Sequence, residues 1–256
     1  MRKRIFLLLI MLASACTSIP LPASAPSTNL ELRPLPTRTS VPSPTPTQIP
    51  PTASPSPTPD PKFFRDDFPG SLDAQWVWLR EDPMNWSLTD EPGMLQINVE
   101  GGYVPAHTNS NILLRPAPRG DFQIETQIIF RPTGNFQFAG LIIYESDSNF
   151  IQAGRQFCSS IGCIGEGLYM DYYRNGVVVK PNFGQTYRSI DPISIRLSRR
   201  GNSYTFEAST NGKVWFVIGS HASDVNPLQI GLVTGQRLRG NVTPARFEYF
   251  EVHSLP

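Results

Sequence analysis

Apolar and polar positions alternate in steps of two through most of the chain beyond residue 63. Leu95, Ile97 and Val99 flank Gln96 and Asn98, and Phe122, Ile124 and Ile128 fall in the same step. Ile193, Ile195 and Leu197 repeat the pattern, as do Tyr204, Phe206 and Ala208. Successive side chains of an extended chain point to opposite faces, so each run predicts a strand with one buried and one wetter side. Leu141-Ile-Ile-Tyr144 lacks the polar positions and predicts a strand covered on both faces. Between the runs lie turn signals. Asn175-Gly176 and Asn211-Gly212 suit two-residue hairpins because both residue types tolerate positive φ, and Arg200-Gly-Asn202 marks a third tight turn. No stripe of helical period follows Pro61. About a dozen strands separated by turns predict an all-β fold, an antiparallel β-sandwich or jelly roll.

Upstream the composition is different. Pro, Ser and Thr dominate residues 17–62, as in Val41-Pro-Ser-Pro-Thr-Pro-Thr. Proline fixes φ and removes a backbone donor, so this segment predicts a disordered, solvated linker of polyproline character. Extended, it reaches on the order of 140 Å. Before it stand Arg2, Lys3 and Arg4, the apolar run Ile5 to Leu12, and Ala13-Ser14-Ala15, which is the layout of a secretory signal. Cys16 at the boundary resembles the lipobox of bacterial lipoproteins, although Ala13 holds the place usually taken by Leu. Ordinary signal cleavage and free secretion is the alternative. The expected organisation is therefore a signal over 1–15, a lipidated terminus and linker over 16–62, and one sandwich domain over 63–256. The expected location is the cell envelope, with the membrane reached through the lipid alone.

Three cysteines are an odd number. With Cys16 taken by lipid, Cys158 and Cys163 remain to close a short loop, and outside the cytoplasm such a pair is readily oxidised. Its spacing fits neither a CxxC redox motif nor, with no His beside it, a zinc site. Charge adds little. Removing Arg2, Lys3 and Arg4 from a formal +1 leaves −2, and no basic stripe is present to attract nucleic acid.

The segment Asn135-Phe-Gln-Phe-Ala-Gly-Leu-Ile-Ile-Tyr-Glu-Ser-Asp-Ser-Asn-Phe-Ile-Gln-Ala-Gly-Arg155 resembles the hallmark stretch of the concanavalin A-like domain at the C-terminus of family 43 β-xylosidases. Phe64-Arg-Asp-Asp-Phe68 is similar to that domain's opening strand, and Ala245-Arg-Phe-Glu-Tyr-Phe-Glu-Val252 to its close. The resemblance implies a jelly roll without the separate propeller that carries the hydrolytic carboxylates in those enzymes. It implies a non-catalytic accessory module, and glycan or cell-wall polymer binding as its activity. Many jelly rolls also hold a structural Ca²⁺ between first and last strands, for which Asp66, Asp67 and Glu248 are the matching positions. The alternative for these acids is capping of local backbone amides.

Retaining glycosidases need two carboxylates about 5 to 5.5 Å apart. No strand here carries acids two or four residues apart in the required run, and Glu166 and Asp171 fall on opposite faces of a regular strand. Sugar sites combine an aromatic platform with planar hydrogen-bonding groups. The candidates are Tyr169, Tyr172, Gln152 and Arg155, with Tyr173 on the same strand, then Gln137, Tyr144 and Trp86, and a polar rim over Tyr103 to Asn111. Trp76 and Trp215 read as core. A protein-interaction or envelope-scaffold domain, and a hydrolase with an unrecognised site, are the competing readings.

Overall fold

The computed structural model describes residues 62–238 and 240–256. The signal, Cys16 and the proline-rich linker lie outside the described residues. Fifteen strands run through them: β1 Lys62–Asp66, β2 Val77–Leu79, β3 Trp86–Ser87, β4 Leu95–Val99, β5 Ile112–Pro116, β6 Phe122–Ile129, β7 Gln137–Ser146, β8 Asn149–Cys158, β9 Gly165–Arg174, β10 Val177–Thr186, β11 Ile193–Arg200, β12 Ser203–Ser209, β13 Phe216–Ala222, β14 Gln229–Gln236 and β15 Thr243–Ser254. They form two antiparallel sheets. One runs β13-β12-β11-β6-β15-β4-β3, with β1 added beside β15, and the other runs β10-β9-β8-β7-β14-β5-β2. The only helical pieces among the described residues are two short 3-10 turns, Pro83–Asn85 and Val104–Ala106.

The alternation read from the chain is the alternation that packs. Leu95, Ile97, Val99, Ile124, Ile195, Leu197, Phe206 and Phe247 point inward from the eight-stranded sheet and are fully buried. They meet Leu141, Ile143, Ile151, Leu168, Met170 and Leu232 from the other sheet in one core. Each such side chain removed from water contributes about 1.5–3 kcal/mol. The run Leu141–Tyr144 is buried on both faces as its composition predicted, and the covering layer on its second face is a loop. Val104, in the 3-10 turn of that loop, lies on Ile112, Leu114, Ile142 and Phe150. Arg80 pins the loop: its guanidinium donates to the Asn109 carbonyl at 2.7 Å and to the Asp147 carboxylate at 2.8 and 3.1 Å.

The turns differ in one place. Asn175 and Gly176 take positive φ of 51° and 75° between β9 and β10, a two-residue hairpin as expected. Asn211-Gly212 instead opens a longer loop. The Asn211 carboxamide oxygen accepts from the backbone N–H groups of Lys213 and Val214, both at 2.9 Å, so the side chain builds the turn. Trp76 is buried in the core, but Trp215 is not. Trp215 lies half-exposed on the outer face of the eight-stranded sheet, under the guanidinium of Arg196 at 4.1 Å.

Candidate functional site

The outer face of the seven-stranded sheet carries a groove of about 450 Å³. Its floor follows from strand register. Gln152 on β8 pairs with Ile142 on one side and Asp171 on the other. The next row runs Val233, Gly140, Gly154, Tyr169. The two glycines let β7 and β8 approach closely: a Cβ on Gly154 would stand 2.2 Å from the Ala139 carbonyl oxygen. Phe138, Tyr169 and Tyr173 give the floor its apolar surface.

Three walls surround it. The covering loop supplies Tyr103, whose hydroxyl donates to that of Tyr173 at 3.1 Å. The Cys158–Cys163 disulfide, with Cα atoms 5.6 Å apart, holds the opposite lip. The third wall is β10, where the pairing with β9 shifts register between Val179 and Phe183. A bulge re-aims side chains, and this one presents Lys180 and Asn182 to the groove.

Asp171 is the one carboxylate among the groove's described lining residues. It is buried and accepts from two neutral amides, Gln152 Nε2 at 3.3 Å and Asn182 Nδ2 at 2.9 Å. Burial pushes its carboxyl up, against the pull of those two amides and of the nearby Lys180 charge. Tyr173 is also pushed up, first by burial and then by the Asp171 charge, so its hydroxyl stays protonated. The groove is thus lined by largely buried aromatic rings, with Tyr173 stacked on Phe150 at 4.6 Å, by two carboxamides and by one buried acid.

The residues singled out from sequence separate by face. Gln152 and Tyr169 line the groove. Tyr144 shares their face but sits farther along β7, in the apolar cluster with Ile142 and Phe150, its hydroxyl bonded to Asp147 at 3.0 Å. Arg155 and Tyr172 point the other way. Arg155 is fully buried between the sheets and donates to Glu166 at 2.8 Å, while the Tyr172 hydroxyl reaches Asp224 at 3.0 Å. Gln137 is a buried clamp: it accepts from the backbone N–H groups of Thr133 and Gly134 and donates to the Asn241 carbonyl at 2.6 Å. Trp86 belongs to the other sheet, packed on Trp78 at 4.9 Å. Alternation separates them: 169, 171 and 173 share one face of β9, and 172 shares the other. Lys180, Asn182 and Arg237 carry no such signal, because a bulge and a loop deliver them.

Of the three acids matched to a calcium site, Asp66 and Asp67 make hydrogen bonds or ion pairs within the chain. Asp66 accepts from the Phe68 N–H at 2.9 Å, the Asp73 N–H at 3.3 Å and the Trp76 indole N–H at 2.9 Å. Asp67 pairs with Arg65 at 2.6 Å, and Glu248 is exposed. The N–H groups converging on Asp66 make it a cap for the local backbone and the Trp76 indole. Among the described residues no group of three His, Cys, Asp or Glu is placed to hold a metal.

Two acids do face one another elsewhere. Glu125 on β6 stands opposite Glu251 on β15, a juxtaposition set by register that spacing within one strand could not reveal. They lie side by side on the outer face of the eight-stranded sheet, away from the groove. Glu251 takes Arg65 at 2.5 Å and lies against His253, and Glu125 takes the Tyr249 hydroxyl at 2.7 Å.

Residues 65–253 match the family model of the β-xylosidase C-terminal concanavalin A-like domain. The chain belongs to this family. Solved structures agree on the fold. The GH43 BlXynB protein of Bacillus licheniformis superposes with a TM-score of 0.67 at 18% identity, covering 75% of this chain and 39% of that one. Xylan β-1,4-xylosidase from Bacillus halodurans C-125 gives 0.63 at 18% identity, covering 80% and 41%. A β-1,3-glucanase from Mycobacterium marinum gives 0.50 at 14% identity, covering 76% and 100%. This member of the family therefore spans about two fifths of the length of the two Bacillus proteins. No curated protein matches the sequence.

Proposed function

We propose that this domain is a non-catalytic carbohydrate-binding module whose ligand lies in the groove over Asp171. The observation that carries the reading is the pairing of aromatic faces with a lone, amide-bonded carboxylate. Tyr169, Tyr173 and Tyr103 offer flat apolar surface to the C–H face of a pyranose. Asp171, Gln152 and Asn182 offer the mixed acceptors and donors that sugar hydroxyls need. Hydrolysis by paired carboxylates needs a second acid across the substrate, and among the groove's described lining residues Asp171 is the single carboxylate. The similar structures include a xylosidase and a glucanase, which supports a carbohydrate ligand. The disulfide supports an oxidising compartment. Display from a lipidated Cys16 on the proline-rich linker completes the proposal and rests on the sequence.

Titration calorimetry against xylan, arabinan and cell-wall oligosaccharides tests it. Binding is expected for the wild type, with a loss of about tenfold or more for Asp171→Ala and Tyr169→Ala. A folded protein that binds nothing across the panel overturns the reading. Release of reducing sugar, lost in Asp171→Ala, would replace it with a hydrolase.

A further inference from the structure

The groove carries more positive charge than its own acid balances, and this deepens the carbohydrate reading, on which it rests. Lys180 stands on the bulged stretch of β10, close enough to act on Asp171 through its charge. Arg237 stands across the groove, just past the end of β14. Its side chain is exposed yet placed: the guanidinium lies over the rings of Tyr103 at 5.3 Å and Phe136 at 5.8 Å. No carboxylate pairs with it among the described residues, and of the described arginines it is the one that lines the groove.

A guanidinium stacked on aromatic rings keeps its in-plane N–H donors for a partner that is itself planar and anionic. A neutral sugar gives such a fork single hydroxyl oxygens. The carboxylate of a hexuronic acid gives it two parallel acceptors. The rest of the groove suits the rest of that sugar, with tyrosine faces for the ring and Asp171, Gln152 and Asn182 for the hydroxyls. We propose that the groove binds an acidic glycan, with Arg237 receiving the carboxylate of a hexuronic acid residue and Lys180 assisting.

Matched ligands test this: a glucuronic acid-bearing xylo-oligosaccharide, an oligogalacturonate, and the carboxyl-reduced form of each. Calorimetry on the wild type, Arg237→Gln, Lys180→Gln and, as a control on the opposite sheet, Arg196→Gln reads the affinity ratio of acid to reduced form. The expected ratio is about tenfold for at least one pair, narrowing as salt is raised. It collapses toward one in Arg237→Gln, shrinks in Lys180→Gln and persists in Arg196→Gln. Melting curves confirm that the variants fold, as expected for Lys180 and Arg237, which are exposed. Equal affinity for acid and reduced forms overturns the acidic assignment and leaves the carbohydrate reading standing. A wild-type ratio that survives in Arg237→Gln overturns the role of that residue. Binding of neither pair, nor of any neutral sugar, overturns both.

Discussion

The two outer faces of the sandwich treat buried charge in opposite ways. On the eight-stranded sheet three acids meet donors from the same sheet face: Arg196 holds Glu207 through two hydrogen bonds at 2.8 and 3.0 Å, Arg65 holds Glu251, and the Tyr249 hydroxyl holds Glu125. In the groove of the seven-stranded sheet Asp171 accepts from the neutral amides of Gln152 and Asn182, while Arg237 has no acid among the described residues. The first face satisfies itself and has little left to offer. The second leaves acceptor and donor capacity unspent beneath a groove, at a cost to the fold. Groups that destabilise the molecule holding them are a better guide to a binding site than groups that stabilise it.

The largest expected effect comes from the groove's floor. Gly154→Ala places a methyl group 2.2 Å from the Ala139 carbonyl oxygen, against backbone that cannot swing aside. Forcing β7 and β8 apart should cost about 3 kcal/mol in urea unfolding, with ligand affinity lost alongside. An unchanged unfolding midpoint would mean that the close approach of these strands is unimportant.

Asp171→Asn should do the reverse. A carboxyl whose folded pKa is raised contributes stability that is complete below its unfolded pKa and lost as pH rises through the folded one. The wild type should therefore lose stability as the pH rises above about 4. The variant lacks that loss and should be more stable by about 1 kcal/mol at pH 7, with the gap closing toward pH 3.5. The same substitution should weaken sugar binding. If it destabilises the fold at pH 7, the carboxylate is structurally satisfied and the contrast between the faces fails.

The smallest effect belongs to the opposite face. A double-mutant cycle on Arg196 and Glu207, both about one-fifth exposed, should give a coupling of about 0.5 kcal/mol and no change in ligand affinity. A larger coupling, or any effect on binding, would join two surfaces that are separate in this account.

The fold was legible because period-two alternation and Asn-Gly punctuation are local. Leu95–Val99, Phe122–Ile128 and Tyr204–Ala208 are strands where the pattern put them. Of the candidate residues, Gln152 and Tyr169 line the groove, on strands whose alternation gives them the same face. Applied strictly, that rule also removes Arg155 and Tyr172, which are one step out of phase. What could not be read depends on how strands are set against each other. The Glu125–Glu251 pairing follows from the register of β6 with β15, the placing of Lys180 and Asn182 from a bulge, and the stacking of Arg237 from two loops that meet only in the folded chain. Asn211 shows the converse limit, where a residue named for one turn type builds another through its side chain.

The most direct test is to titrate the ¹⁵N-labelled protein with a bound oligosaccharide and follow side-chain N–H resonances on both faces. Ligand in the groove should shift the Gln152 and Asn182 carboxamides progressively and leave the Trp215 indole on the opposite sheet unmoved. Shifts at Trp215 with the two carboxamides silent would contradict it.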